Sequence, residues 1–128
     1  MGVATLDDVR KICAKLPGAV EGEGRFGFSV EDKGKAKGFV WSWAERVDPK
    51  KARIPNNGVL AIVVPSLSVK DVILASDSEK YFTEPHYNGF PAVLVRLSAI
   101  KRAELQDLIT EAWKCKAPKA SVKEYESS

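Results

Sequence analysis

The chain has one histidine, His86, and two cysteines, Cys13 and Cys115, so most nucleophilic or metal-dependent chemistry would have to pass through these three side chains. A Ser-His or Cys-His pair needs the imidazole beside a hydroxyl or thiol, with a third group to orient it. Cys13 falls on the apolar stripe of a helical pattern, Cys115 lies beside another, and there is no Gly-x-Ser-x-Gly elbow. Glu84 would share a strand face with His86 if that segment were extended, and a carboxylate there could tune the imidazole. Such a pair can move a proton, but the sequence offers no nucleophile or metal to work with it. The plainer reading is that Pro85-His86-Tyr87 shapes a turn and His86 bonds a backbone carbonyl. No catalytic residue is therefore expected. One histidine and two separated cysteines cannot close a zinc tetrahedron, and no calcium-loop spacing occurs, so no metal is expected either.

Gly22-x-Gly24-x-x-Gly27 matches the dinucleotide-binding pattern letter for letter. That chemistry requires the glycines to follow a strand and open a helix, so that helix amides meet a pyrophosphate. Here they follow a helical pattern and lead into a strand. No cofactor is predicted.

Charge gives a different signal. Between Lys33 and Arg53 stand seven bases (Lys33, Lys35, Lys37, Arg46, Lys50, Lys51 and Arg53) against two acids, Glu45 and Asp48. The rest of the chain is slightly acidic, so the positive excess sits in one segment. Clustered charge of this kind suits phosphate contacts, which need positive groups within reach of a backbone and carry no base specificity. A solvated hairpin with charges guarding its edges gives the same pattern. Trp41 and Trp43, alternating with Phe39, could form a base-stacking platform, although a core-facing strand shows that alternation as well. Arg96 lies two residues beyond Leu94 on one strand face, where pairing with a carboxylate is the commoner role.

These side chains must be positioned by a recognisable series of elements. Thr5 and Asp8 form a capping signature, and Leu6, Val9, Ile12, Cys13 and Leu16 recur at helical spacing until Pro17-Gly18. Two alternating segments follow, Phe26-Phe28-Val30 and Phe39-Trp41-Trp43, joined at Asp32-Lys33-Gly34-Lys35 as a hairpin. A polar connection with turn signals, including Ile54-Pro55-Asn56-Asn57-Gly58, leads to the apolar run Val59 to Val64, a central strand. Ser68 and Asp71 suggest a cap for a short helix with Val69, Val72, Ile73 and Ala75 on its apolar side. Tyr81 to Thr83 and Phe90 to Leu97 read as strands around an Asn88-Gly89 hairpin signal. The last helix runs from about Lys101 to Cys115, with Leu105, Leu108, Ile109, Ala112 and Trp113 on one stripe. The order α-β-β-β-α-β-β-α predicts a single α+β domain over residues 1–119, with helices packed on a five-stranded, mainly antiparallel sheet. Residues 120–128 read as a loose polar tail.

At 128 residues the chain can bury enough surface to hold a core without a metal or disulfide. The N-terminus turns acidic at once and has no apolar signal region, and the stretch from Val59 to Ala75 is interrupted by Pro65, Lys70 and Asp71. A cytoplasmic protein with reduced cysteines and no membrane contact is expected.

Three stretches carry a resemblance: LDDVRKICAKLPG at 6–18, YFTEPHYNGFPAVLVRL at 81–97 and LITEAWKCKAPK at 108–119. Together they resemble the MmcQ/YjbR family of small bacterial proteins. The resemblance implies an α+β fold likened to secretion chaperones. It also implies a label of predicted DNA-binding protein of "double wing" type, with the biochemical function largely open. Ala92 stands where many members carry a tryptophan. Two functions compete on this reading. One is a non-enzymatic domain that binds nucleic acid through the basic hairpin and the loop after it. The other is a module for a small ligand or a protein, using the cleft around His86, Tyr87 and Arg96.

Overall fold

The computed structural model describes residues 4–22, 26–45 and 54–127, and side chains at 44, 45, 54–57 and 86 lie outside that description. Helix α1, Leu6–Cys13, begins as its sequence demands: Thr5 Oγ1 accepts from Asp8 N, and the Asp8 carboxylate accepts from Thr5 N at 3.0 Å. This reciprocal cap satisfies two amides that an open helix end leaves bare. Strands β1 (Val20–Glu21), β2 (Gly27–Asp32), β3 (Lys35–Glu45) and β4 (Ile54–Val63) follow. Then come α2 (Leu67–Ser76), β5 (Tyr81–Phe82), β6 (Ala92–Arg96), α3 (Arg102–Lys116) and α4 (Lys119–Ser127).

The strands form one open sheet in the order β1-β2-β3-β4-β6-β5, with every neighbouring pair antiparallel. The domain is α+β as expected, but the described residues form six strands and four helices rather than five and three. The missed strand β1 is two residues long and carries no periodicity to read. The missed helix α4 occupies the supposed loose tail. Tyr125 packs edge-on against Trp113, with centroids 5.2 Å apart, and Glu126 reaches Lys114 at 3.1 Å. Val122 and Tyr125 both pack on the core, which docks a segment that reads as a loose polar tail.

One bulge in β3 and one in β4 decide which side chains face where. Phe28 pairs with Val40 but Ser29 pairs with Gly38, so Phe39 is an inserted residue. It joins Val40 in the large core shared with α1 and α3, while Trp41 pairs across the sheet with Ala61 on the opposite face. The expected common face for Phe39, Trp41 and Trp43 is therefore broken at Phe39. A second irregularity separates Ser42, paired with Leu60, from Trp43, paired with Asn56. The turn-prone Ile54 to Gly58 segment is absorbed into β4 at this second bulge instead of forming a loop.

Helix α2 also departs from its pattern. Its cap is Ser66, whose Oγ accepts from Val69 N at 3.2 Å, not Ser68. Val72 is 70 % exposed, and Lys70, at 4 %, is the buried residue. The inward side is formed by Val69, Ile73 and Leu74. Among the described residues, no helix is long and apolar enough to cross a membrane.

Candidate functional site

The helices leave one face of the sheet to other occupants. A second core cluster of Val59, Ala61, Tyr87, Ala92 and Leu94 lies there, with Trp41, Trp43 and Phe82 packed against it. Its cover is the connection between β5 and β6. This is not the expected tight Asn-Gly hairpin: β5 and β6 pair as Tyr81 with Val95 and Phe82 with Leu94, so a long excursion separates them. Within it, Pro85–Tyr87 forms a single 3-10 turn and Gly89 takes φ +77°, a conformation glycine adopts without strain. Glu84 and His86 consequently do not share a strand face. The backbone of His86 sits in the 3-10 turn, and its side chain lies outside the described residues.

Tyr87 is buried, and its hydroxyl accepts a hydrogen bond from Trp41 Nε1 at 3.1 Å. Phe90 stands between them, with centroids 6.2 Å from Tyr87 and 6.4 Å from Trp41, and remains 42 % exposed. Trp43 meets Phe82 edge-on at 5.4 Å, and among the described residues its shielded Nε1 has no hydrogen-bond acceptor. Arg96 stacks its guanidinium 4.1 Å from the Phe82 ring centre and donates to the carbonyls of Ser78 (3.1 Å) and Glu79 (3.3 Å). Both bonds come from Nη1 and tie the α2–β5 connection to the sheet. Of the three residues expected around a ligand cleft, Tyr87 and Arg96 thus serve the covering of this face. Trp41, Trp43, Phe82 and Phe90 form its aromatic surface.

The covering segment is held from α2 by Lys70. Its Nζ donates to Tyr87 O at 2.6 Å and Phe90 O at 2.8 Å, and burial pushes its pKa below the ordinary lysine value. Nothing in the sequence marked this residue, since a lysine on a helix reads as solvated. The only available signal was its place between Val69 and Leu74, on the stripe that the helix turns inward.

The basic segment divides. Arg46, Lys50, Lys51 and Arg53 lie outside the described residues. Lys33, Lys35 and Lys37 lie on the β2–β3 hairpin, whose two-residue turn places Lys33 at φ 55° and Gly34 at φ 80°. Positive φ at both central positions matches the twist of paired strands and fixes the tip. Lys33 and Lys35 are exposed there, whereas Lys37 pairs with Asp32 at 3.0 Å. Among the described residues, the wing therefore offers two lysines without an ion pair rather than three.

The other residues singled out by their chemistry fall into place structurally. Gly22 and Gly27 join β1 to β2, with Gly22 N donating to Gly27 O at 2.8 Å, and no helix follows them. A Cβ on Gly27 would stand 2.9 Å from Val40 O, so close approach of β3 accounts for this glycine. Cys13, the last residue of α1, is buried, and burial, with the charge of Glu21 second, pushes its thiol up to about 12. Cys115 is exposed, with its pKa raised by partial desolvation. Since the thiolate is the reactive form, one equivalent of an aromatic disulfide reagent is expected to react with the native protein, at Cys115. The second should react only on unfolding, and Cys115→Ser should abolish the native reaction. Reaction of Cys13 in the native state would contradict its burial.

Fold and site together define a small α+β domain: an open antiparallel sheet backed by helices, with an aromatic face opposite and a basic wing. An uncharacterized protein of Mycobacterium tuberculosis (strain ATCC 25618 / H37Rv) is 34 % identical over 132 aligned positions, covering 96 % of each chain. An uncharacterized protein of Mycobacterium bovis matches to the same extent. The chain belongs to the family that these mycobacterial proteins represent. No family model matches the sequence. Among solved structures, the crystal structure of a Deinococcus radiodurans protein with a DUF419 domain superposes with a TM-score of 0.65. It covers 97 % of this chain and 89 % of its own, at 19 % identity, and so shares the fold.

Proposed function

We propose that this protein is a non-enzymatic binding domain of MmcQ/YjbR type that contacts nucleic-acid phosphates through its β2–β3 wing. The observation that carries the reading is the tight two-residue turn, which leaves Lys33 and Lys35 in solvent at the tip of the β2–β3 hairpin. A turn with fixed φ at its centre presents charge at low entropic cost, and phosphates require little more than charge within reach. Arg46, Lys50, Lys51 and Arg53 follow in the chain after β3 and add to the positive charge of this part of the sequence.

The test is a salt titration on one short duplex. Lys33→Gln/Lys35→Gln is expected to bind more weakly and to lower the slope of log K against log salt by about two, roughly one for each phosphate no longer neutralised. Lys37→Gln should change the slope less, because Asp32 already compensates that charge. Exposed substitutions of this kind shift stability by no more than about 0.5 kcal/mol, so affinity and folding separate cleanly. Failure of the wild type to bind duplex at low salt would sink the reading.

A second reading, a small-ligand or protein module around His86, Tyr87 and Arg96, is favoured by one observation. The helix-free face exposes Phe90 beside Trp41, an apolar surface that a partner could cover. Binding there would be weakened by Phe90→Ser and would depend little on salt.

A further inference from the structure

We propose that the groove between α2 and α3 binds a small apolar amine, with the ammonium group held by Asp107. The groove encloses about 330 Å³ at the end of β4. Val63 and Val64 lie at its base, Val69 and Ile73 of α2 form one wall, and Leu108 of α3 forms the other. Both walls are only partly covered by the protein itself. Apolar surface left half wet favours an apolar occupant in proportion to the area it would cover.

The rim supplies the sign of the charge. Asp107 and Glu111 stand one helical turn apart on α3, on the same side. Glu111 is compensated by Lys114 at 3.3 Å, which also reaches Glu126 at 3.1 Å. Asp107 makes no ion pair among the described residues. An uncompensated carboxylate at the mouth of an apolar groove attracts a ligand with an apolar body and a cationic head, and repels a fatty acid.

A volume of about 300 Å³ is at the lower end for small-molecule sites. The occupant that fits the groove in size and in charge is a short alkyl or aryl ammonium ion.

The probes are n-octylammonium, octanoate and octanol, titrated into the full chain and followed by methyl and amide NMR. Saturable shifts are expected at Val69, Ile73 and Leu108, with octylammonium bound about two- to tenfold more tightly than octanoate, as expected for one exposed charge contact. Asp107→Asn should remove most of that preference and Asp107→Lys should invert it. Asp107 is exposed, so both variants are expected to fold. Shifts confined to another surface would overturn the proposal, as would a preference for octylammonium that survives Asp107→Lys. Groove shifts that appear with none of the probes but grow with protein concentration would overturn it too, and would place a second copy of the chain there.

Discussion

Replacing Trp113 with alanine is expected to destabilise the fold by about 3–5 kcal/mol, the range for a fully buried large aromatic. The indole is fully buried in the last turn of α3, in the core that α1 and α3 share with the sheet. Its Nε1 donates to Pro17 O at 3.0 Å, fastening the residue that closes the α1 region to a helix nearly a hundred positions later. Its ring is also the surface on which Tyr125 rests. Alanine would leave a cavity, orphan a carbonyl and undock α4 in one step. With domains of this kind stable by only about 5–15 kcal/mol, much of the margin would go. Urea unfolding followed by circular dichroism measures the loss. Trp113→Phe keeps most of the volume and should cost clearly less, so equal losses in the two variants would mean that the hydrogen bond, not packing, dominates. A loss under about 1 kcal/mol for alanine would contradict the burial.

What the sequence disclosed follows the strength of local signals. The α1 cap, the buried run Val59 to Val64 and the α3 stripe were legible because each is written in neighbouring residues. Phe39 was not, since a one-residue insertion in β3 reverses the face of everything before it without altering composition. The β5–β6 connection misled because Asn88-Gly89 has the letters of a tight hairpin while Pro85 begins a 3-10 turn three residues earlier. For the candidate site, the sequence drew attention to the basic hairpin, but the pairing of Lys37 with Asp32 depends on register and side-chain reach. Arg96 shows the same limit: its stacking on Phe82 and its two carbonyl partners come from segments a dozen or more positions away. Tertiary partners decide whether a charge is free, and those partners are not local.

Lys70 offers the strongest test of such a partnership. Lys70→Ala is expected to cost about 2–3 kcal/mol, through loss of two charge-assisted bonds to Tyr87 O and Phe90 O and of the packed stem. Neither carbonyl is left bare, because Phe90 N also bonds Tyr87 O at 3.1 Å and Ala92 N bonds Phe90 O at 2.8 Å, which limits the penalty. Lys70→Met retains the stem and should cost less than alanine. The pH dependence separates charge from packing. Burial lowers the folded pKa of Lys70 below its ordinary value of 10.5, so the unfolded chain binds the extra proton between those two points. Stability therefore rises as pH climbs from the folded pKa toward 10.5 and is lost again as pH falls through the folded pKa. The neutral amine still has two N–H donors for two carbonyls, so the bonds survive deprotonation. Comparing the unfolding free energies of the wild type and Lys70→Met as pH rises through the alkaline range toward 10.5 isolates the effect. The gap in favour of the wild type should widen with pH, while Trp fluorescence reports whether the Tyr87–Trp41 hydrogen bond stays closed. A gap that narrows over that range would show that the buried lysine is stabilised as a cation, contrary to its desolvated setting.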